Sequence, residues 1–247
     1  MEPGPHLSLA DSIAAAQGWW REAGVDLAFH DEPRAWLAPP PETRERPAAP
    51  VTGKAPQAPP AIGGDRAGWP RDLAAFPAWW MEEPSLDSGP SRGRVPPRGP
   101  HAAPLMIVVP MPEAEDREAL LSGPQGRLVA NMIRAMGFAP DQIYLASALP
   151  RHAPMPDWPQ LAADGMGEIL RHHVGLVAPE RLLVLGNDVL PFLGHDWAQA
   201  APAVSDLSIL SRKLPVLSSY APGRLVDHPR LRAELWRRWL DWTGTEQ

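Results

Sequence analysis

The chain has 247 residues, 44% of them hydrophobic, with no cysteine and 33 prolines, far above the usual proline share of about 5%. The absence of cysteine excludes disulfides, thiolate zinc sites, Cys-ligated clusters and cysteine nucleophiles. A net charge of −6 means that the molecule as a whole is not drawn to phosphate backbones.

In chain order, residues 1–37 carry a predicted helix: Ser8 or Asp11 can cap it, and Ile13, Ala16, Trp20 and Ala23 fall at helical spacing before Gly24 stops it. The first residues have no basic stretch leading into an apolar one, and no apolar run approaches the ~18 residues of a membrane span. A soluble, cytoplasmic protein with no membrane contact is expected. From 38 to 61, eight prolines and six alanines in 24 residues cannot make a ladder of backbone hydrogen bonds, which predicts a stiff, extended linker running to about 68. Residues 69–100 form an aromatic segment, Trp69 to Met81, followed by a proline- and glycine-rich loop. The pairs Trp19-Trp20 and Trp79-Trp80 leave two readings open, stacking on nucleobases or anchoring a peripheral segment in a hydrophobic groove.

A globular domain is expected over 101–243. Leu105 to Val109 is an unbroken apolar run, as in a strand covered on both faces. A helix follows at about 124–137, with Leu128, Val129, Met132, Ile133 and Met136 on one face, then a strand at 143–148 and a proline-rich loop from Pro150 to Pro159. Next come one helix over 160–177, a strand at 181–185, a short helix ending near Leu193, a loop, a strand at 214–218, and a last helix opened by Pro229. This alternation predicts an α/β protein, a three-layer α/β/α sandwich around a four-stranded parallel sheet. Its ligands belong beyond the carboxyl ends of the strands. Between 210 and 242 there is a local excess of four positive charges, which suits either a nucleic-acid face or a solvated helix surface.

Several short stretches, in this order, resemble the uracil-DNA glycosylase superfamily, closest to its thermophile-type and bacterial iron-sulfur branch. They are Val108-Val109-Pro110-Met111-Pro112-Glu113-Ala114-Glu115-Asp116; Ser122-Gly123-Pro124-Gln125-Gly126; Ile143-Tyr144-Leu145 with Pro150-Arg151-His152-Ala153-Pro154; Leu183-Val184-Leu185-Gly186-Asn187; and Tyr220-Ala221-Pro222-Gly223-Arg224-Leu225. The resemblance covers about 105–242. It implies a pocket that holds a base flipped from the stack, aims a water at the sugar and steadies the leaving base.

The reactive positions implied by the resemblance are altered. Pro110 and Met111 stand in the turn that in the family carries polar or acidic groups, Leu121 replaces the stacking aromatic, Ser147 the base-reading asparagine, and Ala221 the histidine. Glu113, Glu115 and Asp116 are candidate substitutes as a water-activating base; the other reading is an acidic loop or helix cap. Gly123 and Gly126 can cradle a phosphate at a helix start or simply permit a tight turn. Arg224 and Leu225 are the candidate DNA contacts, or else part of an ordinary strand-to-helix connection. His228 can swing toward the site or cap the last helix, and His152, His172 and His173 read as structural, without the spacing of a zinc motif. No metal and no cofactor is expected, since the branch's cluster would lack its cysteines. The resemblance therefore implies a diverged relative that binds DNA or assists repair with weak or no base excision. The alternatives are an active glycosylase for a deaminated or damaged base, and an interaction scaffold that docks a protein partner through the Trp-rich N-terminus.

Overall fold

The computed structural model describes residues 8–24, 62–87, 89, 93–194, 204–209 and 212–244; of the linker expected over 38–68, residues 38–61 lie outside them, while 62–68 make turns and a single helical turn at Arg66–Gly68 rather than an extended stretch. Residues 1–55 and 56–247 are two separate units. In the first, helix α1 (Leu9–Glu22) starts where the Asp11 N–H donates to the Ser8 hydroxyl at 3.2 Å and ends just before Gly24, at φ 83°. Leu9, Ile13, Trp19 and Trp20 stand exposed on it.

The second unit contains, in chain order, α2 (Phe76–Glu82), β1 (Leu105–Val109), α3 (Pro124–Ala135), β2 (Ile143–Ser147), α4 (Trp158–Ala163) and α5 (Met166–Val177). These are followed by β3 (Leu182–Leu185), β4 (Val204–Ile209), β5 (Arg212–Ser219), α6 (Pro222–Asp227) and α7 (Pro229–Gly244). The strands make one sheet in the order β2-β1-β3-β5-β4, parallel except for the β4/β5 pair. The sandwich class is as expected, but the sheet has a fifth strand. β4 escapes a sequence reading because Ser205, Asp206 and Ser208 interrupt its apolar residues, and Leu210-Ser211 ahead of β5 lack a hairpin turn's glycine or asparagine. The helix expected over 160–177 is two helices, broken at Gly165 with φ 106°, and α6 occupies what read as a connection. No helix among the described residues is long and apolar enough to cross a membrane.

Each face of the sheet has its own core. On one, Leu105, Ile107, Val109, Leu183, Leu185 and Leu217 meet α3, α6 and α7 through Val129, Ile133, Leu225, Leu235 and Trp239. On the other, Met106, Val108, Tyr144 and Val184 meet Met166, Ile169 and Val174 of α5, together with Trp69, Phe76, Trp80 and Leu86. The aromatic segment is thus part of this core. Two adjacent histidines of α5 clasp it. His172 donates from Nε2 to the Pro70 carbonyl at 2.7 Å, while the buried His173 shares a 2.9 Å hydrogen bond with the Tyr144 hydroxyl and stacks on Phe76 at 3.8 Å. Burial, with the neighbouring His172 adding to it, pushes His173 down to about 3, and burial raises Tyr144. Arg94, fully buried, donates to the carbonyls of Trp80, Met81 and Glu83 at the end of α2.

Residues 94–98 then run along the outer rim of β2. The Val95 N–H donates to Pro150 O, and Arg98 and Leu145 exchange backbone bonds of 3.0 and 2.7 Å. Gly99 makes this approach possible: with φ 141°, a Cβ there would lie 2.5 Å from the Ile143 carbonyl oxygen.

Candidate functional site

The chain leaves β1 toward β2 on one side and returns past it to β3 on the other, so the strand order reverses between β1 and β3. That is where an open α/β sheet offers a crevice for ligands. Pro110, directly after β1, packs so closely on Gly186, directly after β3, that a Cβ on the glycine would sit 2.4 Å from the proline Cγ and 3.8 Å from the Ala221 Cβ. Pro110 and Ala221, two of the positions implied to surround a reacting group, thus both lie beside Gly186. Ser147 is buried at the end of β2 and donates its hydroxyl to Leu149 O at 2.7 Å, so its proton is engaged within its own loop. Met111 is half-buried, its sulfur accepting from the Ala153 N–H at 3.5 Å, and His152 Nδ1 lies 3.1 Å from Pro112 O.

The acidic loop is built into the scaffold. The buried Glu113 carboxylate accepts from the N–H groups of Gly123, Gln125 and Gly126, each at 3.0 Å. These are the first amides of α3, where the helix dipole and unpaired donors attract an anion. The amides of Gly123 and Gly126, read from sequence as either a phosphate cradle or a tight turn, are occupied by the protein's own Glu113. Asp116 accepts from the N–H groups of Glu113, Leu121 and Ser122 and from the Ser122 hydroxyl, at 2.6–2.9 Å. Burial alone would raise its carboxyl, but the bonds from Ser122, Leu121 and Glu113 outweigh it and hold the group below its ordinary value. Of the three candidate carboxylates, Glu115 alone stands exposed.

A model of the uracil DNA glycosylase superfamily matches residues 96–243. The chain belongs to this superfamily. No curated protein matches the chain. The superfamily match takes in every strand and α3 to α7, and leaves out residues 62–95, which carry much of one core.

Placed in the superfamily domain, the remaining candidates separate. Leu121, in left-handed backbone at φ 60°, lines a cavity of about 500 Å³ with Gly126, Val129, Ile133 and Arg98 on the β2 side. It does not meet Pro110 or Ala221 in that cavity. A second cleft of about 470 Å³ is lined by Glu113, Glu115, Gln125, Gly223, Val226 and Asp227; its three carboxylates give it negative character. Leu225, expected at a DNA-facing tip, is instead 0% exposed. The helical turn of α6 swings it onto the core and brings its neighbour Val226 to the surface. Arg224 is exposed and lies over the Tyr220 ring at 5.1 Å. His228 is the residue at the C-terminal end of α6 and stays exposed. The sequence did not disclose the role of Gly186, which read only as a turn, because its close contact with Pro110 crosses between strands far apart in the chain.

Proposed function

We propose that this protein is a diverged uracil-DNA glycosylase-like protein that serves DNA repair by binding or assisting, with weak or no base excision. The observation that carries this reading is the close approach of Pro110 to Gly186 across the switch point, with Ala221 beside them. Neither a proline nor an alanine side chain can position a water or donate to the leaving base, and general acid–base and electrostatic groups of that kind are each worth about 10² to 10⁴ in rate. Glu113 and Asp116 support it too: both carboxylates face backbone amides, so neither is directed at a water. For DNA contact, Arg224 with the adjoining exposed Val226 is the pair we assign; the negative cleft beside them keeps that contact weak and dependent on salt.

The test is base release from single- and double-stranded oligonucleotides carrying uracil or hypoxanthine, read as strand scission after cleavage of abasic sites. No scission above background is expected. Scission that disappears in Glu115→Gln, the one exposed carboxylate among the three candidates, would overturn the reading. Fluorescence anisotropy on the same oligonucleotides should show binding that weakens with salt and in Arg224→Ala.

A further inference from the structure

A cavity of about 550 Å³ opens beside the carboxyl end of β2, and one wall of it, Ile62 with Pro84 to Asp87, lies ahead of residue 96 where the superfamily match begins. The Ile62 N–H donates to the Asp164 carbonyl at 2.8 Å, tying that wall to the end of α4. The volume falls in the range of small-molecule sites. Leu86, Leu149 and Met166 are buried behind the cavity and Leu161 half-buried beside them, giving an apolar floor.

The rim carries the chemistry. Asp157, Gln160, Leu161 and Asp164 all line the cavity, and their spacing of i, i+3, i+4 and i+7 puts them on one face of α4. The two carboxylates stand at opposite ends of that face, about 10 Å apart along the helix axis. Each uses one oxygen internally: Asp157 Oδ1 accepts from the Gln160 N–H at 3.0 Å, and Asp164 Oδ1 from Gln160 Nε2 at 2.7 Å. The Oδ2 atoms remain as acceptors. Other polar groups on the rim are engaged within the protein: the Ser85 hydroxyl donates to Glu83 Oε1 at 2.5 Å, and Asp87 Oδ2 lies 3.4 Å from both Arg94 Nε and Arg151 Nε. An entering molecule therefore meets a carboxylate at each end of α4, with Gln160 and Leu161 between them and the apolar floor below.

From this the geometry points to a binding site for a linear aliphatic diamine, its ammonium groups at Asp157 and Asp164 and its methylene chain laid over Leu161, Leu149 and Met166. The site is independent of the base-excision reading, since it uses none of the residues at the switch point. Residues 62–87, which lie ahead of the superfamily match, supply one wall of this open slot on the flank of α4.

Isothermal titration calorimetry of the full chain with 1,8-diaminooctane tests it, against 1,8-octanediol and octanedioate as matched neutral and anionic chains. The diamine is expected to bind, the diol at least about tenfold more weakly and the dioate not detectably. Asp157→Asn, which keeps a good helix cap, and Asp164→Asn should each weaken the diamine about tenfold, the effect of losing one hydrogen bond to a charged group. Ala153→Trp, which fills the cavity from its edge, should abolish binding. No diamine binding, equal binding of the diol, binding of the dioate, or diamine binding unchanged in all three variants would each overturn the assignment.

Discussion

Glu113 shows how a residue that looks reactive in a sequence can be structural in the fold. Its three N–H partners lie 10 to 13 positions further along the chain, so no local pattern discloses them; only the return of α3 to the end of β1 does. The same holds for Asp116 and its partners at 121 and 122. What the sequence did make legible at the site was absence: proline, serine and alanine at Pro110, Ser147 and Ala221 cannot do the work of a carboxylate, amide or imidazole wherever they are placed. If Glu113 is a helix anchor, Glu113→Ala leaves three amide donors without an acceptor and lowers unfolding free energy by about 2–4 kcal/mol in urea titrations. Glu113→Gln, which retains one carbonyl acceptor, should lose less. Unchanged stability in Glu113→Ala would release the carboxylate for a role in chemistry.

At the scale of elements, β1, β2, β3 and β5 could be read directly, because strands covered on both faces are continuous apolar runs. The failures have local causes: α4 and α5 share an apolar face, which hides the break at Gly165, and β4 lies at the edge of the sheet where polar residues are tolerated. The docking of α2 on α5 was not legible, since it depends on His172 and His173 meeting Pro70, Phe76 and Tyr144 across the core. This contact gives the fold a pH dependence. His173 is neutral when folded, with its value depressed from 6.5 to about 3, so across that window the unfolded chain takes up a proton that the folded chain refuses. Stability is fully present above about 6.5 and declines as pH falls, at most about 1.4 kcal/mol per pH unit for this group. Urea midpoints between pH 6.5 and 5 should fall less steeply in His173→Gln than in the parent; parallel curves would remove His173 as the cause.

For the whole molecule, the family boundary and the folding boundary do not coincide. The superfamily match begins at residue 96, yet Trp69, Phe76, Trp80 and Leu86 fill the core beneath α5, and losing one large buried aromatic costs about 3–5 kcal/mol, much of a domain's usual stability. A chain starting at residue 96 should show no cooperative thermal transition and should bind a hydrophobic dye, whereas one starting at residue 62 should unfold cooperatively. Cooperative unfolding of the shorter chain would mean that the aromatic segment is dispensable.

The strip at 94–98 would give a truncation reaching past residue 98 a further cost. With Arg98 bonded to Leu145 and Val95 to Pro150, the strip covers the middle of the flank of β2. Strip it away and that flank becomes a template for another extended chain, so damage at the N-terminal side of the domain would show itself as self-association before the sheet itself came apart.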